Sequence, residues 1–222
     1  TGSGKTSAFI SPNIQIMART KTKPSMIISD IKGELFRQHS ELLQRQGYDI
    51  KVIDLGDGIY ESNRWNPFTG IMRLLDEIKE IEQQVDELSD VDRLRLQQLH
   101  NDVFQDLQDV IYTAFPVEKS QDPMWQSGAR DLIFAIAVGF AEDYLDGFIT
   151  ADKFTLYSLY KNISMYCNEG VKEFKAYFEY RKVSSKAVGL ANTVLVTQDR
   201  TLTSYLTDLN RYVQWLADTG VC

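Results

Sequence analysis

The sequence predicts an α/β fold interrupted by a large all-helical block. Three observations carry this expectation. A glycine-rich turn opens the chain at residues 1–6 and runs into a helical pattern. Two short apolar runs, residues 26–30 and 48–55, sit on either side of a helical segment and lead to carboxylates, in the manner of buried parallel strands. From about residue 66 onward the strand signals almost vanish, and apolar residues recur at three- and four-residue spacing. The expected division is residues 1–66, the first part of the α/β domain, and residues 67–220, an inserted all-helical domain.

Thr1, Gly2, Ser3, Gly4, Lys5 and Thr6 read as the back half of a phosphate-binding loop, G-x-x-x-x-G-K-[ST]. The first glycine of that pattern would lie two places before Thr1, so the sequence reads as part of a larger protein. Gly2 and Gly4 let the backbone wrap an anion, and the amides of Ser3, Gly4, Lys5 and Thr6, with Ser7 just beyond, can face phosphate oxygens. The following helix adds its N-terminal partial charge. Lys5 is the expected catalytic cation on the β and γ phosphates of ATP, and the Thr6 hydroxyl the expected ligand of Mg²⁺. The competing reading is a Gly/Ser linker that precedes Lys-Thr by chance.

Each element has a local reason. Residues 5–18 read as a helix interrupted by Pro12, which removes an amide. Met26, Ile27, Ile28, Ser29 and Asp30 form an apolar run bounded by Pro24, read as a strand. Residues 33–46 read as a helix with Leu35, Phe36, Leu42 and Leu43 for an apolar face, stopped by Gly47. Residues 48–55 read as a second strand before the turn Gly56, Asp57, Gly58. Two strands alone make no stable sheet, so the other strands are expected beyond Cys222. Asn66 can cap a helix with Pro67 at its first position. Ile71, Leu74, Leu75, Ile78, Ile81, Val85 and Leu88 make one stripe of that helix. Ser89 and Asp92 look like a capping box opening the next helix, with Leu94, Leu96, Leu99, Val103, Leu107 and Val110 on its face. Further helices are expected at 123–145, 151–166, 170–181 and 198–218, while Thr193, Val194, Leu195 and Val196 fit a strand.

Composition excludes several classes. The 222 residues are 43% hydrophobic and can bury one good core, or one core and a satellite. Two cysteines suggest no disulfide framework. The net charge of −7 argues against a chain whose whole surface binds nucleic acid, though not against a local basic groove. The most apolar run, residues 132–141, is half the roughly 20 residues that span a bilayer. It reads as a buried helix. His39 and His100 stand alone and lack metal-ligand spacing.

Several motifs together carry a resemblance. TGSGKT at 1–6 is followed by Pro12 and Asn13. Ser29, Asp30, Ile31, Lys32, Gly33, Glu34 and Leu35 look like D-P-K-G-E-L with isoleucine for proline. Ser62, Asn63, Arg64, Trp65, Asn66 and Pro67 look like S-x-R-x-N-P. Residues 125–132 carry a tryptophan and a Gly-Ala-Arg step, and Thr203 and Ser204 sit where a late Thr-x-x-S helix is expected. The combination resembles the coupling-protein ATPases of type IV secretion and conjugation, the TraG/TraD-like group. The resemblance implies a RecA-like P-loop nucleotide-binding domain, present here through its first strands only, with a large inserted all-α domain. It further implies a homohexameric ATPase using ATP and Mg²⁺, membrane-associated through a segment missing before Thr1, with this part as the cytoplasmic domain. Such a motor delivers DNA with its attached relaxase, or other secreted protein substrates, to secretion-channel components. The family's later acidic pair has no match, since neither Asp30 nor Asp54 precedes a second carboxylate. The carboxylates and an arginine finger are expected beyond Cys222, and this part alone is expected to bind nucleotide weakly without turning it over.

Other residues carry two readings each. Asp30 either organises the edge of the phosphate site or caps the helix that begins at Gly33. Lys32 and Glu34 either support it or form a solvated first turn. Residues 172–186 interleave Lys175, Arg181 and Lys182 with Phe174, Tyr177, Phe178 and Tyr180. They can stack on single-stranded DNA or form an amphipathic helix facing the core. Asp76, Glu77, Glu80, Glu82, Asp86, Glu87, Asp90 and Asp92 make an acidic stripe. It is either a solvated face or a surface that attracts a basic partner, with Glu80, Asp86 and Glu87 as its centre. Two further functions stay open: another RecA-like DNA translocase, and a stand-alone protein-binding helical module.

Overall fold

A computed structural model describes residues 4–54, 62–84, 88–117 and 123–214. The chain divides into two compact units, Thr1–Asn63 and Arg64–Cys222.

In the first unit a π-helical turn, Thr6–Ile10, runs into α1, Ser11–Ala18, with Pro12 in its first turn, where its missing amide costs nothing. Helix α2 is Glu34–Arg45. Gly33 opens it at φ 66°, a left-handed conformation that favours glycine. Gly47 closes it at φ 84°, its amide bonded to the Gln44 carbonyl at 2.9 Å. Ile14, Ala18, Leu35 and Leu43 form a small core, covered by Met26, Tyr48 and Ile50. His39 is 3% exposed and shares a 2.6 Å hydrogen bond with the Ser11 hydroxyl, which fastens α1 to α2.

The α/β expectation, a RecA-like P-loop domain, is overturned: among the described residues every regular element is helical and there is no strand or sheet. Residues 26–30 and 48–54 are extended chain without a ladder partner. An apolar run becomes a strand only where a neighbour takes its amides and carbonyls. Here Ile27 lies fully exposed, so the run is not the buried strand its composition suggested. Segment 48–54 finds one substitute: the Val52 amide donates to Asn63 Oδ1 at 2.7 Å and the Asn63 amide to the Val52 carbonyl at 2.7 Å. Leu55 and the turn at Gly56, Asp57 and Gly58 lie outside the described residues.

In the second unit every regular element among the described residues is helical. Helix α3, Thr69–Gln84, lies against α4, Asp90–Ala114. Buried Ile71, Leu75 and Ile78 of α3 join Leu96, Leu99, Val103, Leu107 and Ile111 of α4 in one core. The capping box is present, with the Asp92 amide donating to Ser89 Oγ at 3.2 Å and the Ser89 amide to Asp92 Oδ2 at 3.1 Å. Helix α5, Pro123–Leu145, is the central element. Every residue from 132 to 141 that has a side chain is buried, so the helix is apolar all round and takes neighbours on every side. Each such Leu, Ile or Phe removed from water contributes about 1.5–3 kcal/mol. Around it pack α3, α4, α6 (Leu156–Glu169), α8 (Lys186–Leu195) and α9 (Asp199–Val213). Helix α7, Val171–Glu179, bears on α6, α8 and α9.

Helix α8 corrects a second strand expectation. Thr193, Val194 and Leu195 are its last turn. Ser185 caps it, accepting the Val188 amide at 3.4 Å, and Ala187, Ala191 and Val194 bury one face at helical spacing. That burial outweighs the weak β preference of the branched residues. No helix among the described residues is long and apolar enough to cross a membrane.

Candidate functional site

Gly4 has φ 62°, while Lys5 is right-handed helical at φ −55°, ψ −43°. This left-then-right alternation turns successive amides into one concavity, a backbone nest for an anion. The Ala8 amide reaches the Gly4 carbonyl at 2.8 Å, closing the first helical turn. The amides of Lys5, Thr6 and Ser7 precede that bond, so the helix supplies them no partner. Ser7 Oγ donates to the Gly4 carbonyl at 3.2 Å and braces the turn. The Lys5, Thr6 and Ser7 side chains are exposed. These residues fit a phosphate group, with Lys5 as countercharge and the Thr6 hydroxyl as a hard oxygen for Mg²⁺. No group of three or more His, Cys, Asp or Glu suited to a metal occurs among the described residues. Gly2 and Ser3 lie outside the described residues.

Asp30 Oδ2 accepts the Phe36 amide at 2.9 Å, and the Gly33 amide reaches the Asp30 carbonyl at 3.2 Å. Its carboxylate thus satisfies a first-turn amide of α2 and complements that helix's positive end. No hydrogen bond or ion pair among the described residues joins it to Lys5. Arg37 donates to the Lys32 carbonyl at 2.9 Å across Gly33, where an added Cβ would sit 3.1 Å from the guanidinium. The stretch from Asp30 to Leu35 is therefore a helix-opening unit: cap, left-handed glycine, core leucine. Glu34 and Lys32 are exposed.

The Ser62–Pro67 motif also resolves into parts. Ser62 Oγ accepts the Asp54 amide at 2.8 Å. Asn66 Oδ1 accepts the Phe68 amide at 3.0 Å, so the cap expected there is present, although α3 proper starts at Thr69. Asn66 Nδ2 donates to the Phe154 carbonyl at 2.8 Å, a contact that nothing local announces.

The tryptophan and Gly-Ala-Arg motif serves packing. The Trp125 and Tyr205 rings meet at a tilt of 53° with centroids 5.0 Å apart. A Cβ on Gly128 would stand 2.3 Å from Tyr205 Cε1, so only glycine admits that ring. Arg130 lies 3.9 Å over the Tyr112 ring, whose hydroxyl donates to Asp131 at 3.0 Å. On α9 the Thr203 and Ser204 hydroxyls donate to the Asp199 and Arg200 carbonyls.

Tyr177 and Arg181 engage their own chain. Arg181 donates to Asp143 at 2.7 Å, Glu142 at 3.2 Å and the Tyr177 hydroxyl at 2.6 Å, and its side chain is 10% exposed. Burial alone would lower its pKa, but Tyr177, Asp143 and Glu142 outweigh burial and raise it. Burial raises that of Tyr177, against the pull of Arg181. Gly139 makes room, since a Cβ there would meet Tyr177 Oη at 2.7 Å. Glu142 also accepts from the Ser185 hydroxyl at 2.6 Å and the Lys186 amide at 2.8 Å, tying the start of α8 to α5. Glu142 draws no role from the sequence alone, although its position next to Asp143 at the end of the apolar run 132–141 was the available signal.

The acidic stripe is partly committed. Asp76 accepts the Tyr144 hydroxyl at 2.7 Å, and burial with that carboxylate raises the Tyr144 pKa to about 12. Glu77 pairs with Arg95 at 2.7 Å. Glu80 and Glu82 are exposed, and Asp86 and Glu87 lie outside the described residues.

Comparison with known proteins places the chain. The family model described as type IV secretory system conjugative DNA transfer matches residues 1–221. No curated protein matches, and no solved structure does.

Proposed function

Because the chain belongs to the type IV secretory system conjugative DNA transfer family, we propose that it serves as a nucleotide-driven coupling element of that machinery. In this reading the Gly4–Ser7 turn holds the phosphates of ATP and the helical unit meets the cargo. The cargo is DNA with its attached protein, or another secreted protein, handed to the channel. Lys5 neutralises the phosphates and Thr6 ligates Mg²⁺. Membrane association and assembly as a homohexamer rest on the family alone.

One observation supports the reading above the others: the left-handed Gly4 leads directly into a helix whose first amides and the exposed Lys5 share one corner. That arrangement suits an anion. In this reading residues 1–222 by themselves bind nucleotide weakly and are expected not to turn it over. The experiment is DNA transfer between cells whose coupling function depends on this chain. Lys5→Ala should abolish transfer while leaving the protein at its normal level. Undiminished transfer by that variant would end the proposal.

A further inference from the structure

Helices α3, α4 and α5 leave a cleft of about 190 Å³ between them, with the start of α8 at its rim. Leu75 of α3, Val103, Phe104 and Leu107 of α4, and Val138 and Leu145 of α5 make its walls apolar. A cavity of about 150 Å³ lined by such side chains stays dry and takes a benzene ring. Leu75, Val103, Leu107 and Val138 sit inside helices, where the backbone groups are already bonded, so these walls offer a peptide amide or a nucleic-acid base nothing to pair with. The polar groups of the lining differ in what they have left to give. Glu142 is occupied: one oxygen accepts from Arg181 at 3.2 Å and from the Ser185 hydroxyl at 2.6 Å, the other from the Lys186 amide at 2.8 Å. Arg181 also neutralises its charge. The Lys186 ammonium is exposed, 5.9 Å from the centroid of the Phe104 ring, and pairs with no carboxylate among the described residues. Half-buried His100 and exposed Ser184 stand in the same lining and can donate. Exposed Glu82 acts on His100 from α3 and opposes them.

We propose that this cleft binds a compact apolar monocarboxylate, its ring or short chain between α4 and α5 and its carboxylate at Lys186. Burial of the apolar part supplies the affinity, and the ammonium, which meets a carboxylate as a point charge, selects the sign of the head group. The net charge of −7 gives an anion no long-range attraction, so the selection is local. The site lies wholly within the helical unit and needs nothing from the Gly4 turn.

The test is titration of the 222-residue chain with phenylacetate, followed by methyl NMR. The Leu75, Val103 and Val138 methyl signals should shift together and saturate, which locates the ligand without a substitution. Phenethyl alcohol, neutral and of similar shape, should shift the same signals at higher concentration, and phenethylamine at higher concentration still. Lys186→Gln changes an exposed side chain outside the core and should weaken phenylacetate roughly threefold to fivefold, the size of one exposed ion pair, while leaving the alcohol unchanged. Added salt should weaken the acid alone. Lys5→Ala should change nothing, which separates this cleft from anion binding at the Gly4 turn. Four results would overturn the proposal: no saturable shift of these methyls, an alcohol or amine that binds as tightly as the acid, equal acid binding by the Lys186 variant, or tighter binding by a short peptide ending in phenylalanine, which would assign the cleft to a protein C-terminus.

Discussion

Asn66 donates its side-chain amide to the carbonyl of Phe154 at 2.8 Å, although 88 residues separate them. Its other side-chain atom accepts the Phe68 amide, so one residue both opens the first helix of the second unit and fixes the loop before α6. Phe154 is fully buried, where its ring meets Phe68, Phe140 and Tyr144.

Asn66→Ala should destabilise the chain by about 1–3 kcal/mol, because a carbonyl inside the unit loses its donor. Asn66→Asp should cost at least as much, since a carboxylate cannot donate there. Urea unfolding of both variants measures the difference. A cost near zero for both would mean that water replaces the side chain.

Ile136, at the centre of α5, is fully buried. Ile136→Asp places an unpaired charge there and should cost several kcal/mol, with loss of the cooperative thermal transition. A melting curve like the parent's would put this face of α5 at the surface and refute the assigned register.

Much of this architecture was legible in the sequence and some was not, for physical reasons. The run from Leu132 to Ala141 announced a central helix because no face of it carries charge. Ser89 with Asp92 announced the start of α4 because a capping box is complete within four residues. The extended segments at 26–30 and 48–54 were misread because strand formation depends on a neighbour that apolar content does not specify. Helix α8 was missed because its branched residues point to a strand, while its support, Glu142, comes from a distant helix. At the candidate site, Gly4 and Lys5 were readable as a motif. The partner of Asp30, the Phe36 amide, was one of two readings that spacing alone left open.

Arg181 joins α7 to α5 through Glu142 and Asp143. Arg181→Met should cost about 3–5 kcal/mol, since two partly buried carboxylates lose their countercharge. Hydrogen exchange should show the start of α8 opening first, because Glu142 also holds the Lys186 amide. Uniform protection of α8 in that variant would contradict this coupling.

His100, on α4, lines a cleft with Val103, Phe104, Ala141 and Lys186. Burial lowers its pKa from 6.5, Lys186 lowers it further, and Glu82 opposes them. The folded value is below the unfolded one, so the unfolded chain binds the proton more readily. Stability is then present in full above pH 6.5 and declines as pH falls below it through the folded value. His100→Gln should flatten that acid-side decline in melting temperature. An identical decline in parent and variant would assign it to other groups.

Exposed Glu80 and Glu82 on α3 should steer a basic protein toward the helical unit at low salt. Changing Glu80, Asp86 and Glu87 together to Lys should abolish capture of a basic partner, read by surface plasmon resonance. Undiminished capture would remove α3 as a docking face.

The central claim is that the turn at Gly4, Lys5 and Thr6 holds the phosphates of Mg-ATP. Calorimetric titration of the 222-residue chain with Mg-ATP tests it most directly. The account predicts weak, saturable binding that falls at least tenfold, about 1.4 kcal/mol, in Lys5→Ala. Equal heats from parent and variant, or no binding by the parent, would contradict it.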